Sequence, residues 1–219
     1  MVSEPQTATP VSGTVFLVED DGAVRRSLSL LLQLHGLRCA EFATAEDFLG
    51  VAAWQRPACA LVDICLPGMS GLALQARMMR QERGFPVLLM TGHGDAAIAR
   101  TAMLQGASDF LEKPIVESEL LEAVWAALRS DAEQVARNRE RDALLARLSR
   151  LSRPEWELFE RITDGCSYRS IAEDLGLTLD ALEAQRLRMM EKLEARRLAD
   201  LFRLRFRVGE YASGRRVPT

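Results

Sequence analysis

Short apolar segments and longer helical segments alternate along the first 130 residues of this chain, and no other feature restricts its fold as strongly. Three apolar segments, at 15–18, 58–62 and 86–90, have the length of a β-strand and no alternating polar positions. A fourth, shorter segment ends with Phe110 and Leu111. Strands of this type are buried on both faces, which is typical of a parallel sheet covered by helices. With a weaker strand at 37–41, the pattern predicts an α/β domain over 14–130 built on a five-stranded, doubly wound parallel sheet.

The rest of the chain has helical periodicity only, which predicts a second, all-α region. The segment 131–148 contains neither Gly nor Pro and is rich in Ala, Arg and Glu, so we expect it to extend the preceding helix as a connector. Helices are predicted over 149–208, with Thr178 as the N-cap of the longest one. The two ends, 1–13 and 209–219, are expected to form a flexible lead and a loose tail.

Charge is distributed unevenly between the two regions. Residues 1–130 hold 10 basic and 15 acidic side chains, whereas residues 149–219 hold 14 basic and 12 acidic ones. An acidic front and a mildly basic back indicate two domains with different partners. The four cysteines form no CxxC pair, which gives no support to a thiol-redox or structural zinc site. We expect a cytoplasmic protein without a membrane partner, because no apolar run has the length of a membrane span and residues 1–13 lack the core of a signal peptide.

Polar and charged side chains follow the predicted strands at the points where the strands end. Glu19 and Asp20 follow the first strand, Asp63 the third, Thr91 the fourth and Lys113 the fifth. The carboxyl ends of parallel strands share one edge of the sheet, so we expect these groups to converge there. Crowded carboxylates repel one another unless a cation lies among them, and oxygen ligands with open positions favour Mg²⁺. Because an Asp can also attack phosphorus, the set suggests phosphoryl transfer to a carboxylate.

Four motifs in this region resemble those of the receiver domain of two-component response regulators. They are Val18-Glu19-Asp20-Asp21, the strand ending in Asp63 followed by Leu66-Pro67-Gly68-Met69-Ser70-Gly71, Thr91-Gly92-His93-Gly94-Asp95, and Gly106-Ala107-Ser108-Asp109-Phe110-Leu111-Glu112-Lys113-Pro114. The match covers about 14–130, and the last two motifs resemble the FixJ branch in particular. The resemblance implies a flavodoxin-like fold with Asp63 as the phosphoacceptor. It also implies a Mg²⁺ site made by the acidic pair Glu19 and Asp20, by Asp63 and by the backbone carbonyl of Cys65, with Asp21 as a neighbour.

The same resemblance implies roles in switching for three further residues. Thr91 would bond the phosphoryl group after transfer, Phe110 would swing inward at that point, and Lys113 would pair with the phosphoryl oxygens. The Lys113–Pro114 peptide bond would be cis, which aims the lysine into the pocket. A sensor histidine kinase would supply the phosphoryl group. The phosphorylated chain would form a homodimer through the face that holds the helix before the fifth strand, that strand and the helix after it, with Ile98 and Leu104 as contacts.

The back region has the pattern of a helix-turn-helix motif, in which the second helix enters the major groove of DNA. It resembles the LuxR-type DNA-binding domain at 151–159, at Gly165, Ser167, Ile171, Ala172 and Leu175, at Met190-Glu191-Lys192-Leu193 and at Ala195-Arg196. FixJ-type and NarL-type regulators carry this domain behind a receiver, which is the order found here. The resemblance implies sequence-specific binding to double-stranded promoter DNA and regulation of transcription.

The start of the predicted recognition helix departs from that family. The family has a basic residue and Thr-Val there, with a His three residues after the Val, whereas this chain has Asp180, Ala181-Leu182 and Gln185. Acidic side chains near a phosphate backbone oppose binding. The candidate DNA contacts are arginines for phosphates or bases and two residues that could read cytosine or adenine: Arg169, Arg186 and Arg188, with Glu183 and Gln185.

Other functions are left open by the residues. A receiver that controls a protein-binding back region would account for the acids Asp180 and Glu183. An aspartyl-phosphate phosphatase of the haloacid dehalogenase type would need a second Asp two residues after the nucleophile, where this chain has Cys65. A regulator that works without phosphorylation is disfavoured by the intact acidic site. The chain is therefore predicted to be a regulator rather than an enzyme, with phosphorylation of its own Asp63 and hydrolysis of that group as its chemistry.

Overall fold

The structure is a computed structural model, and it describes residues 12–51, 53–80, 84–92, 104 and 106–212. The chain divides into two compact units, Met1–Ala136 and Arg137–Thr219. The first unit combines a sheet with helices, and the elements of the second are all helices. Among the helices of these described ranges, none is long and apolar enough to cross a membrane.

The strands described in the first unit form one parallel sheet. They are β1 (Thr14–Val18), β2 (Arg38–Phe42), β3 (Ala58–Asp63), β4 (Val87–Thr91) and β5 (Asp109–Glu112). Their order is β2-β1-β3-β4-β5, and each neighbouring pair is parallel. This confirms the predicted fold class. The strands extend beyond the predicted apolar runs to polar residues such as Asp63 and Thr91, because strand pairing uses main-chain groups that every residue supplies.

Four helices of the first unit lie within the described ranges. They are α1 (Gly22–Leu34), α2 (Ala45–Leu49), α3 (Gly71–Met79) and α4 (Glu117–Leu148). The first three begin after a polar cap, since Asp21, Thr44 and Ser70 accept backbone N–H groups of the first turn. Gly36, with a φ of 76°, follows α1, and glycine readily adopts the left-handed conformation that ends a helix. The helix predicted around Ile98 lies outside the described residues.

The sheet buries a separate apolar cluster on each face. Successive residues of β3 alternate between them: Ala60 and Val62 belong to one cluster, Cys59 and Leu61 to the other. Burying a large apolar side chain contributes about 1.5–3 kcal/mol, so the two clusters hold the sheet as a rigid platform. The polar residues at the carboxyl ends of the strands project from this platform.

The four cysteines are free thiols in two different environments. Cys59 is buried in β3 and Cys39 is partly buried in β2, whereas Cys65 and Cys166 are exposed. Burial raises the pKa of Cys39 to about 11 and raises the pKa of Cys59 further. The two internal thiols are therefore protonated and unreactive at neutral pH.

The long helix α4 contributes to the cores of both units. Leu120, Val124 and Leu128 belong to one of the clusters on the sheet, and Leu144 and Leu148 belong to the helical core of the second unit. The helix has 32 residues and runs through 131–148 without a break.

Asp131 fastens α4 to the start of β3. Its carboxylate is fully buried, accepts the Ala58 N–H at 2.8 Å and forms a salt bridge with Arg56, whose Nε lies 3.1 Å from Oδ2. The sequence pattern places Asp131 at the start of the connector, because the alternation of strands and helices ends before it. The structure instead buries it in the first unit, which extends to Ala136. A charged group is tolerated there because the guanidinium and the backbone amide satisfy its oxygens.

The second unit consists of the end of α4 and four further helices. They are α5 (Arg153–Thr163), α6 (Tyr168–Leu175), α7 (Leu179–Lys192) and α8 (Leu198–Ala212). The Thr178 hydroxyl accepts the Ala181 N–H at 3.2 Å, which confirms the predicted N-cap of α7. The prediction that the chain loosens at 209 was wrong for 209–212, which continue α8. Gly209 costs a helix only about 1 kcal/mol relative to Ala, which is too little to end it.

A buried carboxylate joins the start of α5 to the end of α7. Glu155 accepts the Ser152 N–H at 2.7 Å and the Ser152 hydroxyl at 2.9 Å, and Lys192 Nζ lies 2.6 Å from the same oxygen. Burial alone would raise the pKa of Glu155, but these hydrogen bonds outweigh it and hold the pKa below its usual value.

Candidate functional site

The order of the strands creates a crevice at the ends of β1 and β3. These two strands are neighbours at the point where the strand order reverses, and sheets of this type bind ligands beyond that point. Glu19 and Asp20 follow β1, and Asp63 is the last residue of β3. Thr91 ends β4, and Lys113 comes directly after β5. The topology thus brings all five predicted residues to one edge of the sheet.

Lys113 joins two of the carboxylates at this edge. Its Nζ lies 2.6 Å from Glu19 Oε2 and 2.9 Å from Asp63 Oδ2. The other oxygen of Asp63 accepts the Cys65 N–H at 3.3 Å, and Glu19 Oε1 accepts the Asp21 N–H at 3.2 Å. Glu19 is 1% exposed and Asp63 is 5% exposed, so water screens these contacts poorly.

The charges in the crevice shift one another's protonation. Burial raises the pKa of Glu19, as does the neighbouring Asp63, although the hydrogen bond from Lys113 opposes this. Burial would lower the pKa of Lys113, but its hydrogen bonds to Glu19 and Asp63 outweigh burial and the pKa is raised. The lysine is therefore a permanent cation at neutral pH, held between two acids.

The carboxylates at the crevice fit a divalent cation. Glu19, Asp20 and Asp63 each offer one oxygen, and these oxygens lie within 4.8 Å of one another. Glu19 and Asp63 are buried, whereas Asp20 is exposed, which leaves water access to a bound ion. Oxygen donors with room for water are the ligands that Mg²⁺ prefers. The contribution of the Cys65 carbonyl stays a prediction.

Thr91 and Phe110 lie next to Lys113 in different surroundings. The carbonyl of Thr91 accepts the Lys113 N–H at 2.7 Å, and the threonine is 8% exposed. The Lys113–Pro114 peptide bond is cis, as the family resemblance implies. Phe110 is 40% exposed, so this aromatic ring lies at the surface rather than in the core.

Arg25 is a residue of this edge that the sequence patterns did not single out. Its guanidinium donates to the backbone carbonyls of Glu19 at 2.5 Å and Asp20 at 3.2 Å, and so fixes the turn that carries both acids. The sequence signal that could have identified Arg25 is its position: a cation in the first turn of a helix that directly follows three acidic residues. Asp21 has a different task, since its Oδ1 accepts the Ala23 N–H at 2.7 Å and caps α1.

The predicted DNA-binding residues lie on α6 and α7, which form a helix-turn-helix with Gly176 at the turn in a left-handed conformation, φ 63°. Arg169 and Arg188 are exposed, and neither makes an ion pair within the described residues. Gln185 is partly buried. The structure therefore leaves two of the three predicted arginines accessible to a partner.

Arg186 is engaged on its own helix. Its Nε donates to Glu183 Oε2 at 2.8 Å and its Nη2 to Glu183 Oε1 at 2.5 Å. This forked pair lowers the pKa of Glu183 and raises that of Arg186. The acid and the arginine that were predicted as separate DNA contacts thus neutralise each other.

Two family models match the chain in the order that the fold shows. The response regulator receiver domain matches residues 15–125. The model for bacterial regulatory proteins of the luxR family matches residues 149–204.

Full-length relatives share both regions. The chain is 35% identical over 210 residues to the transcriptional regulatory protein FixJ of Azorhizobium caulinodans, covering 96% of this chain and 100% of that protein. It is 35% identical over 209 residues to the transcriptional regulatory protein TdiR of Thauera aromatica, covering 94% and 91%.

Two solved structures match the chain over most of its length. The response regulator StyR matches with a TM-score of 0.83 at 34% identity, covering 89% of this chain and 98% of that one. Full-length FixJ from B. japonicum matches with a TM-score of 0.52 at 34% identity, covering 90% and 98%. The chain therefore belongs to the FixJ/NarL-type response regulators, two-component proteins in which a receiver domain precedes a LuxR-type DNA-binding domain and which regulate transcription.

Proposed function

We propose that a sensor histidine kinase phosphorylates Asp63 and that this modification switches the affinity of the chain for promoter DNA. The observation that carries the proposal is the contact of Lys113 Nζ with both Glu19 and Asp63, beside the exposed carboxylate of Asp20. A nucleophilic carboxylate, a fixed cation and a place for a metal ion are the groups that phosphoryl transfer to an aspartate needs.

In the proposed step, an oxygen of Asp63 attacks the phosphorus of a phosphohistidine. An O–P bond forms, the P–N bond breaks, and the imidazole nitrogen keeps the electron pair. The ammonium of Lys113 then pairs with a phosphoryl oxygen in place of the Asp63 carboxylate oxygen that it contacts now. Mg²⁺ held by Asp20 and Asp63, with Glu19 beside them, would supply positive charge that offsets the negative charge of the transferring group.

Thr91 and Phe110 are proposed to convert the modification into a change of shape. The Thr91 hydroxyl would donate to a phosphoryl oxygen. The exposed ring of Phe110 would then swing inward. A modification biases such an equilibrium only as far as it stabilises one state more than the other. The active state is proposed to dimerise and to present two helix-turn-helix motifs to paired half-sites. Leu104, 80% exposed, is available for such a contact, whereas Ile98 lies outside the described residues.

DNA binding is proposed to use α7 in the major groove. Arg169 and Arg188 would contact phosphates, since both are exposed and unpaired within the described residues. Glu183 and Arg186 would contact bases either together, as an ion pair, or after that pair opens. Gln185 would contact a base independently of them.

A second candidate is a regulator whose helix-turn-helix binds a protein instead of DNA. The Glu183–Arg186 pair favours it, because it removes one cation from the helix that would face the phosphates. The acidic side chain of Asp180 in the first turn of the same helix favours it as well, because a negative charge there would oppose binding to the phosphates.

One experiment separates the two candidates. The full-length protein, loaded with Mg²⁺ and beryllofluoride as a phosphoryl mimic, is incubated with sheared genomic DNA of its source, and the retained fragments are sequenced. We expect a few enriched sites with a shared paired motif, and we expect Asp63→Ala to lose them. Retention of no site above background by a protein that demonstrably carries beryllofluoride would favour the protein-binding candidate. Continued labelling of Asp63→Ala by a small phosphodonor would overturn the assignment of Asp63.

A further inference from the structure

The loop that follows Asp63 is held at three points, and one of them is a side chain from outside the predicted site. The loop runs from Ile64 to Ser70, between β3 and α3. At its start, the Ile64 N–H donates to the Met90 carbonyl at 3.0 Å. At its end, the Gly71 N–H donates to the Ile64 carbonyl at 3.1 Å. Both ends are therefore fixed by main-chain contacts.

Gly71 makes the end of the loop unusually tight. A Cβ atom added to Gly71 would lie 2.2 Å from the Asp63 carbonyl oxygen, closer than any side chain permits. The first residue of α3 thus packs directly against the backbone of the predicted phosphoacceptor. Between these fixed ends, residues 65–69 carry the Cys65 carbonyl, the backbone group proposed for the Mg²⁺ site.

The third contact holds the far side of the loop and comes from α2. Glu46 Oε1 accepts the Met69 N–H at 3.0 Å. The same carboxylate covers Gly68, where an added Cβ would lie 3.0 Å from Oε1, and Gly68 has a φ of 74°. Glycine at this position therefore allows both the left-handed turn and the close approach of the carboxylate.

Glu46 is itself on a fixed support. It is the second residue of α2, which begins at the Thr44 cap and ends with Phe48 and Leu49 packed on the core. Phe48 is fully buried against Phe16 of β1, with ring centroids 5.7 Å apart. The position of the Glu46 carboxylate is thus tied to the sheet that carries Asp63.

We propose that Glu46 is a positioning residue for the phosphorylation site. By accepting the Met69 N–H, its carboxylate fixes the loop after Asp63. That loop presents the Cys65 carbonyl to Mg²⁺ beside the Asp63 carboxylate. The inference rests on the proposed function of Asp63. Glu46 touches no reacting atom, and its effect passes through the backbone of 65–69. Partners that orient a metal ligand typically change metal affinity by about 10–100-fold when they are removed.

The neighbouring residue supplies a matched control. Asp47 follows Glu46 on α2 and carries the same charge, is also exposed, and has no side-chain hydrogen bond to the loop within the described residues. Glu46→Ala and Asp47→Ala therefore remove the same charge from the same helix turn, but only the first removes the contact with Met69. Glu46→Gln removes the charge and keeps an oxygen acceptor.

The test measures Mg²⁺ binding to the unphosphorylated full-length protein by calorimetry, together with hydrogen exchange of the Met69 amide. For Glu46→Ala we expect faster exchange at Met69 and about tenfold weaker Mg²⁺ binding, with a thermal unfolding temperature close to that of the wild type. Asp47→Ala should match the wild type in both measurements, and Glu46→Gln should recover most of the Mg²⁺ affinity.

Three outcomes would overturn the inference. Equal loss of Mg²⁺ affinity in Glu46→Ala and Asp47→Ala would assign the effect to net charge. Faster exchange at Met69 with unchanged Mg²⁺ affinity would show that the contact does not position the site. A wild-type protein that binds no Mg²⁺ and takes no phosphoryl group would remove the proposed function of Asp63, and the inference with it.

Discussion

Charged side chains follow different rules in the two units. In the first unit, Lys113 meets Glu19 and Asp63 from separate strand ends, and Arg56 meets Asp131 across 75 positions of sequence. In the second unit, pairs such as Glu183–Arg186 on one helix and Arg161–Asp174 between two helices are partly exposed. Pairs of the first kind are fixed by the topology and lie in a low dielectric, whereas pairs of the second kind contribute little to stability. We therefore expect removal of a charged side chain to have larger effects in the first unit than at exposed pairs of the second.

The largest expected effect is on the buried pair that fastens α4. Asp131→Ala removes the buried carboxylate that accepts from the Arg56 guanidinium and from the Ala58 N–H, and the guanidinium keeps its contact with the Gly84 carbonyl. We therefore expect the free energy of unfolding to fall by about 3–5 kcal/mol. Urea unfolding followed by circular dichroism measures this loss.

Glu157→Ala breaks an ion pair on α5 and serves as the control, with an expected loss of about 0.5 kcal/mol or less. If the two variants lost equal stability, the distinction between the units would not hold.

The chain's two lysines provide a second comparison. Lys113→Gln removes the cation between Glu19 and Asp63, and we expect phosphorylation of Asp63 by acetyl phosphate to slow about 100-fold. Lys192→Gln removes the cation that contacts Glu155 in the second unit and should leave that rate unchanged. Rates are measured with radiolabelled phosphodonor. A Lys113→Gln protein that is labelled as fast as the wild type would contradict the assigned role.

Glu155 differs from the partly exposed charged residues of the second unit because its carboxylate is buried. Its contribution to stability should therefore depend on pH. Its pKa is lowered, so its stabilising contribution is present above the pKa of the unfolded chain, about 4.5, and is lost as pH falls through the lower folded value. At pH 7, Glu155→Gln should be less stable by about 1–2 kcal/mol. Between pH 7 and pH 3 the variant should lose less stability than the wild type, as measured by urea unfolding at each pH. If the free energy of unfolding of both proteins depended on pH in the same way, the contacts of Glu155 with Ser152 and Lys192 would not lower its pKa.

The smallest expected effect concerns the exposed pair on α7. Glu183→Gln removes an acid and releases Arg186 from its ion pair. Because exposed pairs within one helix contribute little to stability, we expect the free energy of unfolding to change by less than about 0.5 kcal/mol. DNA affinity should rise several-fold, and the dependence of affinity on salt should steepen by about one ion. The readout is fluorescence anisotropy on an enriched fragment at several salt concentrations. Glu157→Gln on α5 is the control. Unchanged DNA binding in Glu183→Gln would place this face of α7 away from the phosphates.

The fold of the first unit and the convergence of its site were predictable because each depends on topology. Apolar runs gave the strands, and the rule that parallel strands end at a common edge brought Glu19, Asp63 and Lys113 together. The strand ends were missed by a residue or two, because main-chain pairing continues into polar residues such as Thr91.

Contacts that depend on side-chain reach were not predictable in this way. Nothing in the sequence indicates that Asp131 turns inward to Arg56, or that Glu46 extends to Met69. Arg186 and Glu183 were correctly placed on one helix, yet their pairing depends on rotamers and not on spacing alone. The continuation of α8 past Gly209 shows likewise that a weak local preference yields to packing.

The distribution of the cysteines makes the protein suitable for spectroscopic labelling as it stands. Only Cys65 and Cys166 are exposed, whereas burial protects Cys39 and Cys59. A thiol-reactive fluorophore or spin label at neutral pH would therefore attach first at one position in each unit. One lies two residues from Asp63 and the other in the turn before α6, so a single labelling reaction places one reporter beside the proposed phosphorylation site and one beside the helix-turn-helix.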